Sequence, residues 1–542
     1  MAKITNNKII WGADDWLGGT DQYSATATTY YSTKVNNSSL MYAYNIDPYR
    51  SLGYITVGRD NVSVPTPTAI ESYIRSSDTL SFTATAVGTY EIGITANPTA
   101  VANKCKLIQF NATDTITLGD YPYTNSGHAG HTEPLGYDVA VYYANVAGTN
   151  RRCLFYSWSD TTDWDIGRVI ARVDSDDQAM DDDFMSTVAA SPLAGAYLTG
   201  GASTEHPMIV GTDDVLYVGS GRYLHGYDGS VGNDGTFYPA ILTLPSGYTM
   251  TSMLKYGEYL LLFAHNSASS YDFTKQAEST VFFWDYLSLD PSYIVDLQDN
   301  MCSQSFLYEG KPCVFTAGNY RDTVNTAYTT RIKTFDTQTS ITLVDVPGQL
   351  PCRGGVSVTD KQIIWNTQGV VYTLGNNLGM PIVVNKLSDL AASNNGLCTT
   401  RTGVLMVSSG ATTVGGLDII SATKYQADGR LVTKTIEPLF TNDKKGRVKS
   451  VTVRYGDIES TPGRKVDIRL RYNRGASVVT LATNDYPATA TELVKNFEHD
   501  TSGNPLPNFT DLALDILWKS GTDNTDAPLI SSVEVEYETI NI

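Results

Sequence analysis

Val215 to Gly229 reads Val-Leu-Tyr-Val-Gly-Ser-Gly-Arg-Tyr-Leu-His-Gly-Tyr-Asp-Gly. A β-rich run, Val215 to Val218, meets a Gly-Ser-Gly break. A second run then ends on an aromatic residue followed by Asp and Gly. Strand, tight turn, strand, aromatic and acidic turn residue together predict an antiparallel hairpin. Weaker versions recur through the middle of the chain: Asp138 to Tyr143 with Cys153 to Trp158, Tyr259 to Ala264 with Val281 to Tyr286, Cys313 to Ala317 with Arg331 to Asp336, Gln362 to Trp365 with Gly369 to Leu374, and Gly403 to Ser408 with Leu417 to Ala422.

The closing aromatics fall at Trp158, Tyr227, Trp284, Phe335, Tyr372 and Tyr425, with gaps of 69, 57, 51, 37 and 53 residues. A propeller blade of four strands takes about 40–50 residues. Such a sheet has two apolar faces to hide, and packing between neighbouring blades hides both. The pattern predicts an irregular β-propeller of five to seven blades over residues 61–440, with an acidic insert near 172–205. An elongated array of sandwiches is the alternative.

The texture changes near Thr441 to Lys445. In Lys465 to Asn473, Val466, Ile468, Leu470 and Tyr472 alternate with Lys465, Asp467, Arg469 and Arg471. Apolar-in, polar-out alternation marks a half-buried antiparallel sheet. Residues 441–542 are therefore expected to form a β-sandwich of jelly-roll type. Residues 1–60 are turn-rich and aromatic, with Trp11, Trp16, Tyr44, Asp47, Tyr49 and Arg50 among them. Disordered tails are poor in aromatics, so this segment reads as an extended arm that lays strands against something else.

Composition agrees with an all-β chain. Only 18% of the 542 residues are charged, while Tyr supplies 35 and Gly 45. The 57 acidic and 38 basic residues leave a formal charge of −19, the wrong sign for a wrapper of duplex DNA, and sequence-specific nucleic-acid binding is not expected. The six cysteines form no Cys-x-x-Cys pair, which argues for free thiols rather than a disulfide framework or a structural zinc site. Met1 to Lys8 lacks the apolar run of a signal peptide. The longest apolar cluster, Tyr259 to Ala264, is far short of a membrane span.

Candidate chemistry is sparse. Asp174, Asp176, Asp177 and Asp181, with Asp182 and Asp183, are weak candidates for Ca²⁺, but the Gly and closing Glu of an EF-hand loop are missing and a solvated acidic loop is the plainer reading. His128, His131 and Glu133 lie on a Gly-rich loop rather than one helix turn apart. His206, His225, His265 and His499 belong to no motif. Asp160, Asp163 and Asp165, or Asp14 and Asp15, suit the carboxylate pair of a glycosidase, yet Asp is also a common turn residue. Ser230 to Phe237 is similar to the Asp box of sialidase-type propellers, with altered spacing and a single occurrence. No nucleophile elbow, P-loop or dinucleotide fingerprint is present. These residues predict no catalytic activity and no cofactor.

The Tyr44 to Ile55 segment, Tyr-Asn-Ile-Asp-Pro-Tyr-Arg-Ser-Leu-Gly-Tyr-Ile, the propeller-like middle and the Val448 to Tyr455 opening of the terminal sandwich resemble virion proteins of tailed bacteriophages, in particular tail-nozzle and stopper-like rings. The resemblance implies a structural tail or portal-proximal component that self-associates and contacts other tail proteins. Assembly would take place in the host cytoplasm, with no membrane span. It carries no active-site residue. The arm would reach a neighbouring subunit, so that deleting residues 1–55 leaves a folded monomer that cannot assemble. Two alternatives remain: a glycan-binding host-recognition protein, and a polysaccharide-degrading propeller enzyme.

Overall fold

The structure is a computed structural model. It describes residues 8–13, 34–36, 40–51, 54–63, 92–95, 106–110, 116–120, 135–159, 164–170, 180–181, 184–185, 206–266, 278–318, 329–346, 350–351, 355–358, 362–367, 370–375, 382–386, 397–399, 405–411, 414–433, 435–436, 444–458, 463–473, 475–521 and 524–541. The chain divides into two units, residues 63–369 with 388–419, and residues 1–62 with 370–387 and 420–542.

The first of these is the propeller. Its second blade, in chain order, comprises Leu135–Val146, Thr149–Ser159, Trp164–Ile170 and Met180–Asp181. The third comprises Met208–Val210, Leu216–Ser220, Tyr223–Asp228 and Thr236–Thr243. The fourth comprises Thr249–Tyr256, Tyr259–His265, Ser279–Trp284 and Tyr293–Asp296. The fifth comprises Met301–Tyr308, Lys311–Gly318, Thr329–Phe335 and Ser340–Val346. In each, the strands pair antiparallel in sequence order.

The blade count follows from the innermost strands. Ile92–Thr95 opens the first, three-stranded blade, while Val356–Val358 and Leu397–Thr399 open the sixth and seventh. Each blade's first strand lies against the first strand of the next, and Leu397–Thr399 lies against Ile92–Thr95. The ring closes at seven blades, the upper end of the expected range.

The quoted stretch forms the expected hairpin. Leu216 opposes Tyr227 and Ser220 opposes Tyr223, with Gly221 and Arg222 at the tip. Gly221 has φ +56°, a conformation that favours glycine there. Tyr227, Trp284 and Phe335 all lie at or near the ends of third strands and are buried, as a closing aromatic should be. Trp158 instead lies near the end of a second strand, so the first spacing read from the sequence does not measure one blade.

Packing between blades is largely aromatic. The Tyr142 ring stands edge-on to Tyr227 at 6.0 Å. Its hydroxyl donates to the Asp214 carbonyl at 2.6 Å and accepts from the Gly229 amide at 2.9 Å. A Cβ at Gly229 would press on the Tyr142 ring at 2.7 Å, so this close approach requires glycine. Farther round, Phe263 and Phe283 pack on Phe335 at 5.5 and 6.1 Å.

The other unit is the sandwich. One sheet carries Lys34–Asn36, Lys8–Ala13, Ile530–Asn541, Lys444–Tyr455 and Val494–Phe497 in that order. The other carries Leu40–Tyr44, Asp428–Thr433, Leu512–Lys519, Lys465–Tyr472 and Ser477–Asp485. Val466, Ile468 and Leu470 enter the core with Val451, Val535, Ile516 and Trp518, as the alternation requires. Pairing is antiparallel except that Lys8–Ala13 and Lys34–Asn36 run parallel.

The N-terminal segment is extended: Lys8–Ala13, Lys34–Asn36 and Leu40–Tyr44 complete the sandwich itself, whereas Arg59–Ser63 pairs as the fourth strand of the seventh blade's sheet. Trp11 opposes Val535 and Tyr44 opposes Arg430, while Ala43, Ile46 and Ile55 are core residues. The expectation that deleting residues 1–55 leaves a folded monomer is therefore corrected: the deletion would take Lys8–Ala13 and Lys34–Asn36 from one sheet and Leu40–Tyr44 from the other. The reason lies in long-range pairing, which local sequence pattern does not report.

Candidate functional site

Strand order sorts the propeller's loops onto two faces. Turns from first to second and from third to fourth strand open on one face, here called the hairpin face. Turns from second to third strand, and the connections between blades, open on the opposite, crossover face.

Several titratable side chains near the blade junctions lie at the crossover face. Asp138 lies at the start of the innermost strand of the second blade, just past a bulge between Gly136 and Asp138. Its amide donates to Ser157 Oγ at 2.9 Å. Its Oδ2 accepts from the Met208 amide of the third blade at 2.8 Å, and the residue is half-buried. His206, fully buried, has Nδ1 3.2 Å from the Gly219 carbonyl and therefore donates through that nitrogen. His265 closes a second strand, and burial pushes its imidazole down to about 4, so it is neutral at pH 7.

Asp299, in the connection between the fourth and fifth blades, is the most heavily compensated carboxylate of this face. It is buried, accepts from Thr316 Oγ1 at 2.6 Å and from Arg331 Nη1 at 2.5 Å, and has Lys333 Nζ at 3.2 Å. Arg331 also reaches Asp345 at 3.1 Å, and Lys333 donates to the Leu297 carbonyl. A buried charge demands such partners. With two cations and a hydroxyl on it, this group holds the blade junction together. No sequence signal marked it, because its partners lie 17 to 34 positions away on different strands.

The sequence offers Asp165 as one member of a carboxylate pair. It is buried, and its Oδ1 accepts from the adjacent Ile166 amide at 2.6 Å. It opposes Trp158, whereas Asp138 opposes Ser157. Neighbouring residues of a strand project to opposite faces, so Asp165 and Asp138 lie on opposite sides of their blade and do not converge. Asp14, Asp15, Asp160 and Asp163 lie outside the described residues.

The Ca²⁺ candidates Asp174, Asp176 and Asp177 also lie outside the described residues, and Asp181 ends a two-residue strand opposite Arg168. Among the described residues no three His, Cys, Asp or Glu side chains are grouped to hold a metal ion. His128, His131, Glu133 and Trp16 lie outside the described residues. Trp11, Tyr44, Asp47, Tyr49 and Arg50 fall in strands of the sandwich unit, with Tyr44 and Asp47 half-buried.

Several acidic residues do what turn residues do. Asp228 accepts from both the amide and the hydroxyl of Ser230, at 2.9 and 2.6 Å, which accounts for the start of the Asp-box-like stretch. Asp285 accepts from the Leu287 and Ser288 amides and the Ser288 hydroxyl, and these bonds hold its carboxyl down at about 2. Cys153, Cys302 and Cys313 are buried free thiols, and burial pushes Cys153 and Cys313 up to about 11, away from reactivity.

No protein-family model matches the chain, and no curated protein is similar to it in sequence. Solved structures are similar to it in shape only.

An exo-β-1,3-galactanase of Phanerochaete chrysosporium matches at 10% identity and a TM-score of 0.31, over 88% of this chain and 100% of its own. The sialidase of Trypanosoma rangeli, in complex with sialic acid, matches at 9% and 0.29, over 89% of this chain and 96% of its own. The Dos1 propeller matches at 10% and 0.33, over 63% of this chain and 96% of its own. The appearance of glycoside hydrolases here runs against the expectation that the chain catalyses nothing, and that expectation is corrected. At these TM-scores no residue role is transferred from them.

Proposed function

We propose that this protein engages polysaccharide through the crossover face of its propeller, with Asp138 as the acidic group presented to the sugar. One observation carries the reading. Asp138 is half-buried near the start of an innermost strand, and its Oδ2 is fixed by a backbone amide of the next blade. Asp165 is buried on the other side of its blade. Sugar hydroxyls are donors that a carboxylate accepts, and a carboxyl group is also the acid and base of glycoside cleavage.

The test is release of reducing sugar, together with retention on a glycan array, for wild type and Asp138→Asn. The Asn oxygen can still accept from the Met208 amide, so the blade junction is kept. Removal of an acid–base group is expected to lower turnover about 100-fold or more. An unchanged rate in the variant, or wild-type protein that neither cleaves nor binds any polysaccharide tested, rejects the reading.

A second reading, a component of a tailed-phage virion that assembles from copies of itself, is supported by a different observation. The exposed large apolar side chains described in the propeller are confined to its hairpin face. Peptide mass spectrometry of purified particles tests it. Absence of the chain from particles of a phage that encodes it rejects this reading.

A further inference from the structure

Among the described residues of the propeller, ten large apolar side chains are exposed. Tyr143, Tyr256 and Leu307 stand at the ends of first strands. Leu287 and Leu289, 90% and 86% exposed, lie in a third-to-fourth turn, and Ile341, 59% exposed, lies just after another. The other four occupy the same turns or the first residues of fourth strands. Scattered exposed apolar residues are ordinary. Confinement to one face is not, and it marks a contact surface.

Acidic residues are interspersed with this apolar set. Asp213, Asp214, Glu258, Asp290, Glu309 and Asp336 are exposed in the same turns, and among the side chains described there the exposed basic ones are Lys255 and Lys311. Within a chain of net charge −19, the outer face of one sandwich sheet carries the opposite character. Arg430, Arg469 and Arg471 are each about a third exposed, Lys519 is 45% exposed and Lys465 beside it is half-buried; against these five cations stand three carboxylates, Asp515 and Asp467, which are buried, and Asp428, exposed opposite Lys519. Val478 opposes Arg471 on the neighbouring strand and is 47% exposed.

We propose that the hairpin face of the propeller docks on this basic sandwich face of a second copy of the same chain. Contact between two copies of the acidic hairpin face is opposed by like charge, so the interface is heterologous. Heterologous contacts propagate from copy to copy and yield a closed ring or a filament. Apolar side chains supply burial, and the opposed charges set partner and orientation. The inference does not depend on the carbohydrate reading.

The experiment uses full-length protein in sedimentation velocity across a concentration series at low and high NaCl. Wild type is expected to form oligomers larger than dimers, with the apparent dissociation constant raised about tenfold or more by salt. Leu287→Glu with Leu289→Glu disables the first surface, and Lys519→Glu with Arg469→Ser disables the second. Circular dichroism melts confirm that each variant is folded, and Lys519→Glu alone serves if the double variant is not.

Each variant alone is expected to be monomeric. A mixture of the two retains one intact surface of each kind and is expected to stop at a 1:1 dimer. Wild type that stays monomeric, a sandwich variant that still oligomerises like wild type, or a mixture that stays monomeric overturns the proposal. Loss of association in the apolar variant alone assigns that surface to a different occupant and overturns it too.

Discussion

Ser252 Oγ lies 2.6 Å from Ser305 Oγ, and the two residues belong to the innermost strands of neighbouring blades. The Ser305 amide donates to Ser252 Oγ at 3.0 Å, and Ser305 Oγ donates to the Met253 carbonyl at 3.2 Å. That order leaves the Ser252 hydroxyl to donate to Ser305 Oγ. All three bonds are buried, so this small network stitches the fourth blade to the fifth with every proton assigned.

Ser252→Ala strands the buried Ser305 amide and is expected to cost about 1–3 kcal/mol. Ser252→Ala with Ser305→Ala should cost less than the sum of the single changes, because the two hydroxyls act on one another. Urea denaturation of the four proteins in the cycle measures this. Strict additivity would show that the two do not cooperate.

In the sandwich, Arg430 grips Asp515 with two bonds, at 2.8 and 2.9 Å, and Arg471 adds a third at 2.6 Å. Burial raises the Asp515 pKa, but the two guanidinium groups outweigh it and leave a net lowering. A depressed carboxyl adds stability above its unfolded pKa of about 3.9, and that stability is lost as pH falls through the folded value. Asp515→Ala should cost about 2 kcal/mol, discounted because both arginines are about a third exposed. Acid titration of unfolding midpoints should show a shallower decline below pH 4 in the variant.

His265 acts with the opposite chemistry and the same sign. Burial lowers its pKa from 6.5 to about 4, so the unfolded chain binds the extra proton between these values. Stability is full above about 6.5 and declines as pH falls toward 4, with a limiting slope of about 1.4 kcal/mol per pH unit. His265→Phe should flatten that part of the profile. An unchanged slope would assign the acid sensitivity elsewhere.

Truncation of residues 1–55 is expected to unfold the sandwich, because Lys8–Ala13 and Leu40–Tyr44 each belong to one of its sheets and Ala43, Ile46 and Ile55 enter its core. Limited proteolysis should cut the truncated chain within residues 444–541 under conditions in which the full chain resists. Equal resistance would mean that the remaining strands suffice.

The all-β class, the hairpin at Leu216–Asp228 and the alternating strand Lys465–Tyr472 were legible in the sequence because each is a local pattern, set by turn chemistry and by a two-residue period. Tyr227, Trp284 and Phe335 could be picked out as closing aromatics for the same reason. Trp158 could not be told from them, since a strand's rank within its sheet is not written in its residues. The site was far less legible: local pattern singles out Asp165, an acid beside a turn, and nothing in it singles out Asp138. Only the register, Asp138 against Ser157 and Asp165 against Trp158, separates the half-buried carboxylate from the buried one. By itself the sequence determined the all-β class and many of its strands and turns. Tertiary structure decided the closure at seven blades, the pairing of N-terminal strands with C-terminal ones, and the gathering of exposed apolar residues on one face. All three depend on contacts between segments tens to hundreds of residues apart, whose energy exists only once the chain has closed on itself.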